Sequence, residues 1–237
     1  MAHIEQSAVH NRLLRAMTVN DFSRLQPHLE PVDLQAGQTL TKPNARTEHF
    51  HFMETGVASI TADGANGRVE VGIIGREGLV GATPVLLGSD RVPYDHFIQV
   101  PGTGLRIDAS VVSTAVDESP ALRKLMLRYI LTEMIQTRQT AFVNASQEIE
   151  ARLARWLLMC HDRVDGDELL LKHEFLSMML GVRRAGVSLA MQQLEGAGCI
   201  RARRGRITVL NRKHLEEMAD GGYGTPEAEY ARLIEGA

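Results

Sequence analysis

From Ala121 to Asp165 the chain contains neither glycine nor proline, and leucine, methionine, alanine, arginine and glutamate dominate it. Such a stretch lacks the two residues that break helices, so it is helical. Its first half is apolar on every face: Leu122, Leu125, Met126, Leu127, Tyr129, Ile130, Leu131, Met134 and Ile135. A helix of this kind must be covered all round. Either one face lies on an adjoining domain and another on the same helix of a second subunit, or the helix is buried in one large monomeric core. The first arrangement predicts a dimer interface at Leu122, Met126, Tyr129, Ile130 and Met134. No strict heptad persists, so the supercoil signal is only moderate. Asn144 or Ser146 can cap a fresh helix, and Asn144 with Gln147 has capping-box spacing. The domain boundary therefore falls near Asn144–Ser146, with Glu148–Arg163 opening a C-terminal domain.

The texture before that helix is different. Asn11–Leu29 reads as short helical segments, with Asn20 or Asp21 capping the second. From Pro31 to about Asp108, short runs at Val32–Leu34, His49–Met53, Val57–Ala62, Val69–Ile74, Phe97–Val100 and Leu105–Ile107 alternate with turn residues. Ala36-Gly37, Pro43-Asn44, Thr55-Gly56, Asp63-Gly64, Asn66-Gly67 and Pro101-Gly102 supply the turns. Regular short strands so punctuated indicate an antiparallel barrel or jelly roll, and Asp63–Gly67 reads as a hairpin tip.

Beyond the long helix, Leu171–Val209 reads as two short helices followed by a basic β-hairpin. Phe175, Leu176, Met179 and Leu180 give the first helix one apolar face, and Val187, Ala190, Met191 and Leu194 do the same for the second. Gly181-Val182-Arg183 separates them. Arg183 and Arg184 open the second helix, and Arg201, Arg203, Arg204 and Arg206 sit in the hairpin. This is the pattern of a winged helix-turn-helix. A short helix with arginines at its N-terminal end suits the major groove, because a guanidinium can bond two guanine acceptors at once. Residues expected at duplex DNA are Arg183, Arg184, Ala185, Ser188, Leu189, Gln192 and Lys172, with Arg201, Arg203, Arg204 and Arg206 as phosphate clamps. Gln193 and Arg212 read as surface.

Charge placement agrees with a DNA-binding end. The 237 residues carry a net −3, yet between Ser146 and Leu215 there are 12 Lys+Arg against 8 Asp+Glu, a net of +4. The remainder holds 14 basic and 21 acidic residues, a net of −7. An acidic body on a basic C-terminal module fits a protein that touches DNA at one end. Cys160 and Cys199, unspaced in a long chain, indicate a reduced cytoplasmic setting with both thiols buried. No window is long and apolar enough to span a membrane, and the N-terminal residues lack signal-peptide character. The tail from Gly221 reads as a loosely held appendage.

Roll, long helix and winged helix-turn-helix, in that order, resemble the Crp/Fnr family of bacterial transcription regulators from about Leu13 to Leu215. LLRAMTVNDFSRLQPHLEPVDLQAGQTL is similar to that family's opening helices and first strand, FHFMETGVASI to its second hairpin, and EGLVGATPVLLG to its nucleotide-cassette region. EARLARWLLM and EFLSMMLGVRRAGVSLAMQQLEGAGCI resemble its DNA-binding domain. The resemblance implies a homodimer reading a palindromic site and contacting RNA polymerase. The expected fold is α+β: a β-roll sensor domain (residues 1–116), a dimerisation helix (117–145), a winged helix-turn-helix domain (146–220) and a tail (221–237).

Departures from the family pattern are informative. Its turn-to-helix motif is close to Gly-x-Ser-Arg-Glu-Thr-Val, and this chain reads Gly181-Val182-Arg183-Arg184-Ala185-Gly186-Val187. Arg184 takes the place of the base-reading arginine. Ala185 replaces an acidic reader and Arg183 a helix-capping serine, so the target sequence should differ. At the roll, cyclic-nucleotide members use Gly-Glu-Leu and an Arg-Ser or Arg-Thr pair; here the corresponding residues are Gly81, Ala82 and Thr83, then Arg91 and Val92. A cyclic phosphate lacking those partners would be poorly compensated, so no cyclic nucleotide or other cofactor is predicted. Residues 1–40 hold no cysteine for an iron–sulfur cluster. His49 and His51 share one strand face, but without a third ligand they predict no metal site. The glycine-rich run Gly72–Gly81 lacks a phosphate lysine, and no hydrolase elbow or zinc-protease helix is present. Catalysis is therefore not expected. The alternative is an effector-binding or protein-interaction module whose helix-turn-helix no longer binds DNA specifically.

Overall fold

A computed structural model describes residues 4–64, 67–171 and 173–236. Residues 4–60, 73–134 and 229–236 gather into one compact unit, and residues 61–72 with 135–228 into another.

The first unit opens with two short helices, α1 (Arg12–Arg15) and α2 (Val19–Leu25). Asn11 caps α1 by accepting from Leu14 N, and its amide donates to Met53 O at 2.9 Å and Gly78 O at 2.8 Å. Fully buried, it nails the N-terminal segment to the strands. Thr18, not Asn20 or Asp21, caps α2, because its hydroxyl reaches Asp21 N. The strands follow as β1 (Glu30–Leu34), β2 (Thr39–Thr41), β3 (His49–Met53), β4 (Val57–Gly64), β5 (Gly67–Ile74), β6 (Leu79–Val80), β7 (Asp95–Val100) and β8 (Gly102–Asp108). They form two four-stranded sheets, ordered β1-β8-β3-β6 and β2-β7-β4-β5. Phe50 faces Ile107 and Phe52 faces Leu105 across the antiparallel β3–β8 pair. Leu34, Met53, Ala58, Ile74, Val80 and Ile98 close the core. The antiparallel roll read from the turn residues is present. The strands missed, β2 and β6, are three and two residues long, too short for alternation to register.

Helix α3 (Ala82–Leu86) follows β6, and α4 (Ala109–Glu118) leads into the long helix α5 (Pro120–Ser146). Leu122, Met126, Tyr129 and Ile130 are buried within the protomer. This corrects their assignment to a dimer interface: the face of α5 that carries them is consumed inside this unit. Tyr129 shows how. Its hydroxyl accepts from Leu79 N at 3.0 Å and donates to Glu133 at 3.0 Å. A Cβ on Gly78 would lie 2.5 Å from that hydroxyl, so the approach requires glycine. Met134 stays 43% exposed, alongside Leu127 at 48% and Leu131 at 39%.

The tail ends in α10 (Thr225–Tyr230) and a π-helical turn, Ala231–Glu235. It is not loosely held. Tyr230, Leu233 and Ile234, at i, i+3 and i+4, are buried. Tyr230 donates to Glu77 O at 2.6 Å, and Arg128 donates to Leu233 O at 3.2 Å.

In the second unit α6 (Ile149–His161) is followed by β9 (Glu168–Leu169), α7 (His173–Leu180), α8 (Arg184–Gly196), β10 (Ile200–Arg203), β11 (Arg206–Val209) and α9 (Arg212–Met218). The break between α5 and α6 falls at Gln147-Glu148, and Glu148 is the N-cap, without a side-chain bond. Ser146 instead donates to Phe142 O and Asn144 accepts from Arg152, so neither caps α6. Leu153, Leu157, Leu158, Leu176 and Leu194 are fully buried, with both cysteines among them as small apolar groups. Trp156 donates to Glu70 at 2.6 Å, both residues buried.

Candidate nucleic-acid interface

Three helices and a small sheet build the site. Helix α8 packs on α6 and α7 through Val187, Ala190, Met191 and Leu194, all buried. That leaves the opposite face to solvent: Ala185, Ser188, Leu189 and Gln192 lie there at i, i+3, i+4 and i+7. Gly181 turns the chain between α7 and α8 at φ +63°, a conformation glycine adopts without penalty. Arg152 of α6 donates to Leu180 O, which fixes the end of α7.

Arg183 and Arg184 are both exposed at the start of α8. Arg183 occupies the N-cap with no side-chain bond to the helix, so the first amides of α8 remain uncapped by a side chain. Ser188 donates to Arg184 O at 3.0 Å, which leaves its oxygen as an outward acceptor. In the hairpin, β10 pairs with β11 antiparallel, and β9 extends the sheet as its third strand. Arg203 stands opposite Arg206 across the Arg204-Gly205 tip, where Gly205 has φ +75°. Glu195 of α8 accepts from Ala202 N at 2.6 Å and ties the hairpin to the helix. Arg201, Arg203, Arg204 and Arg206 are all exposed. Arg206 is held by Glu168 at 2.7 Å. Among the described residues, the side chains of Arg183, Arg184, Arg201, Arg203 and Arg204 form no hydrogen bond or ion pair. The start of α8 and the hairpin thus both carry uncommitted guanidinium groups, able to bond phosphate oxygens or base edges. Lys172 lies outside the described residues.

Arg212 is not plain surface. It pairs with Asp162 at 2.8 Å and Glu216 at 2.9 Å, and donates to His161 Nδ1 at 2.8 Å. With Nδ1 accepting, His161 donates from Nε2 to Asp167 at 2.9 Å. The network secures the start of α9 against the end of α6.

The residues expected at a roll pocket are otherwise engaged. Gly81, at φ +96°, and Ala82 are buried and start α3. Thr83 bonds Glu133 through its hydroxyl. Arg91 is exposed and makes a two-pronged pair with neighbouring Asp90 at 2.7 and 3.0 Å, while Val92 O accepts from Asn44 N. His49 pairs with Asp108 at 3.2 Å. Burial, with nearby His49 and Arg106, pushes the His51 imidazole down to about 4, so His51 is neutral.

Residues 151–218 match the Crp-like helix-turn-helix domain. The global nitrogen regulator of Synechococcus elongatus is 22% identical over 199 residues, covering 80% of this chain and 90% of that protein. The global nitrogen regulator of Nostoc is 23% identical over 185 residues, covering 74% and 82%. A Crp/Fnr-family transcriptional regulator from Eubacterium rectale shares the fold with a TM-score of 0.68 at 16% identity, over 88% of this chain and 98% of that one. FixK2 from Bradyrhizobium japonicum does so with the same TM-score and identity, over 80% and 96%. No described helix is long and apolar enough to cross a membrane. Residues 151–218 thus match a Crp-like helix-turn-helix domain, and the chain shares its fold with Crp/Fnr-family structures.

Proposed function

We propose that the protein works in the cytoplasm as a homodimer that reads a palindromic duplex site, one α8 helix entering the major groove at each half-site. The observation that carries this reading is the α8 surface: buried Val187, Ala190, Met191 and Leu194 on one side, exposed Arg183, Arg184, Ser188, Leu189 and Gln192 on the other. Arg184 reads a base, Arg183 and the hairpin arginines bind phosphate, and Ala185 leaves one position without a carboxylate acceptor. Exposed Leu127, Leu131 and Met134 on α5, at i, i+4 and i+7, form the apolar seam between subunits. Half-sites then lie about one helical turn apart.

Selection of sites from random duplex DNA by the purified, ligand-free protein tests this reading. An enriched inverted repeat is expected, with affinity falling steeply as salt rises. Weak binding that enriches no sequence at any salt concentration overturns it, and returns the domain to a protein-contact role.

A further inference from the structure

The N-terminal segment and the C-terminal turn border an open cleft of about 780 Å³, whose walls include His10, Arg12, Arg15, Arg76, Ile234 and Glu235. Every one of these residues belongs to the first unit. The walls are built, not incidental. Arg12 N donates to Arg76 O at 2.7 Å. Glu54 accepts from the backbone amides of His10 and Asn11 at 2.8 and 3.0 Å, which orients the segment. On the opposite wall, Ile234 is buried.

The charge of the cleft is unbalanced. Arg76 on its wall has partners of its own, which leaves Arg12 and Arg15 against one lining carboxylate, Glu235, with Glu77 contributing from nearby. Glu235 lies 2.7 Å from Arg12 Nε, and both side chains are 37% exposed. The Arg12 guanidinium also stacks over the Tyr230 ring, 4.7 Å from its centroid. Arg15 is exposed and, among the described residues, its side chain makes no hydrogen bond or ion pair. It is close enough to help hold the Glu235 carboxyl below its usual range, after the larger effect of the Arg12 bond.

From this geometry we infer that the cleft is a binding site for a small phosphate-bearing molecule, and that Glu235 is its internal placeholder. Guanidinium groups match phosphate oxygens two at a time, and a multiply charged oxyanion uses the surplus that one carboxylate leaves. The volume falls in the ordinary range for small-molecule sites. A phosphate at Arg12 and Arg15 displaces the Glu235 carboxylate, so occupancy loosens the 231–235 turn. This site is separate from residues 81–83 and 91–92, and its existence does not depend on how the protein reads DNA.

Inorganic pyrophosphate is the probe, titrated calorimetrically into the full-length protein. The hairpin arginines also attract phosphate, so the titration is repeated in an Arg203→Ala/Arg204→Ala variant. Arg15→Ala and Glu235→Gln alter exposed groups and leave the core intact; a melting temperature near wild type checks this. Expected is saturable binding that survives in the hairpin variant. It weakens about tenfold or more in Arg15→Ala, the size of one charge-assisted bond, and tightens in Glu235→Gln. Trypsin should cut after Arg232 faster with pyrophosphate present. Binding that ignores both cleft substitutions, or vanishes in the hairpin variant, overturns the inference, as does no binding at all.

Discussion

Arg184 stands at the N-terminal end of α8 with an exposed side chain and no partner among the described residues. If it reads a base, Arg184→Ala weakens binding to the selected site by about 1–3 kcal/mol and relaxes preference at one base position. Uniform weakening on every duplex would assign it to phosphate instead. Glu133 makes a second residue-level prediction. Burial, with Glu77 adding to it, pushes its carboxyl up to about 7, while the bonds from Thr83 and Tyr129 pull the other way. The folded value lies above the unfolded one, so the associated stability is full below pH 4.5 and is lost as pH rises through about 7. Melting temperatures of Glu133→Gln and wild type should therefore diverge in the variant's favour from pH 5 to pH 8. A constant offset across that range would show that Glu133 stays charged in the fold.

At the scale of elements, α5 divides its apolar residues between two tasks. Leu122, Met126, Tyr129 and Ile130 are spent inside the protomer, while Leu127, Leu131 and Met134 remain outward. On the proposed dimer, with its seam at these residues, Leu127→Asp/Leu131→Asp should give a monomer in sedimentation where wild type is dimeric, with helix content retained. An unchanged sedimentation coefficient would place the seam elsewhere. The inward face has its own test at Gly78. A Cβ there would meet Tyr129 Oη at 2.5 Å and Ile74 Cγ2 at 2.8 Å. Gly78→Ala should cost about 1–3 kcal/mol, the ordinary range for overpacking, in a urea titration. A cost near zero would mean that α5 sits further from this turn.

For the whole molecule, the charge divides by segment: the residues from Ser146 to Leu215 are net +4 and the rest net −7. DNA affinity should depend on salt through the positive segment only. Each hairpin arginine that binds phosphate should lower the slope of log affinity against log salt by about one when replaced by alanine. Two buried histidines contribute to acid sensitivity. Desolvation pushes His51 and His96 down to about 4, so the unfolded chain binds protons there that the fold refuses. Stability therefore falls as pH drops below about 6.5, by up to roughly 3 kcal/mol per histidine near pH 4. His96→Leu should flatten that decline in melting curves.

The order of roll, long helix and winged helix-turn-helix was legible in the residues, because period, turn chemistry and the absence of glycine and proline act locally. Helix α8, which the sequence opens at Arg183 and Arg184, spans Arg184–Gly196, since Gly181 and the spacing of Val187, Ala190, Met191 and Leu194 specify it within one segment. Which side of α5 faces inward was not legible. Apolar residues lie nearly all round its first half, and long-range packing such as that of Tyr129 against Leu79 breaks the tie. The same holds for the tail and the cleft beside it: Tyr230 and Glu235 meet Glu77 and Arg12 from far along the chain. Contacts between such distant segments leave no periodic trace in sequence. They come into being when the roll brings the N-terminal segment and the final turn together.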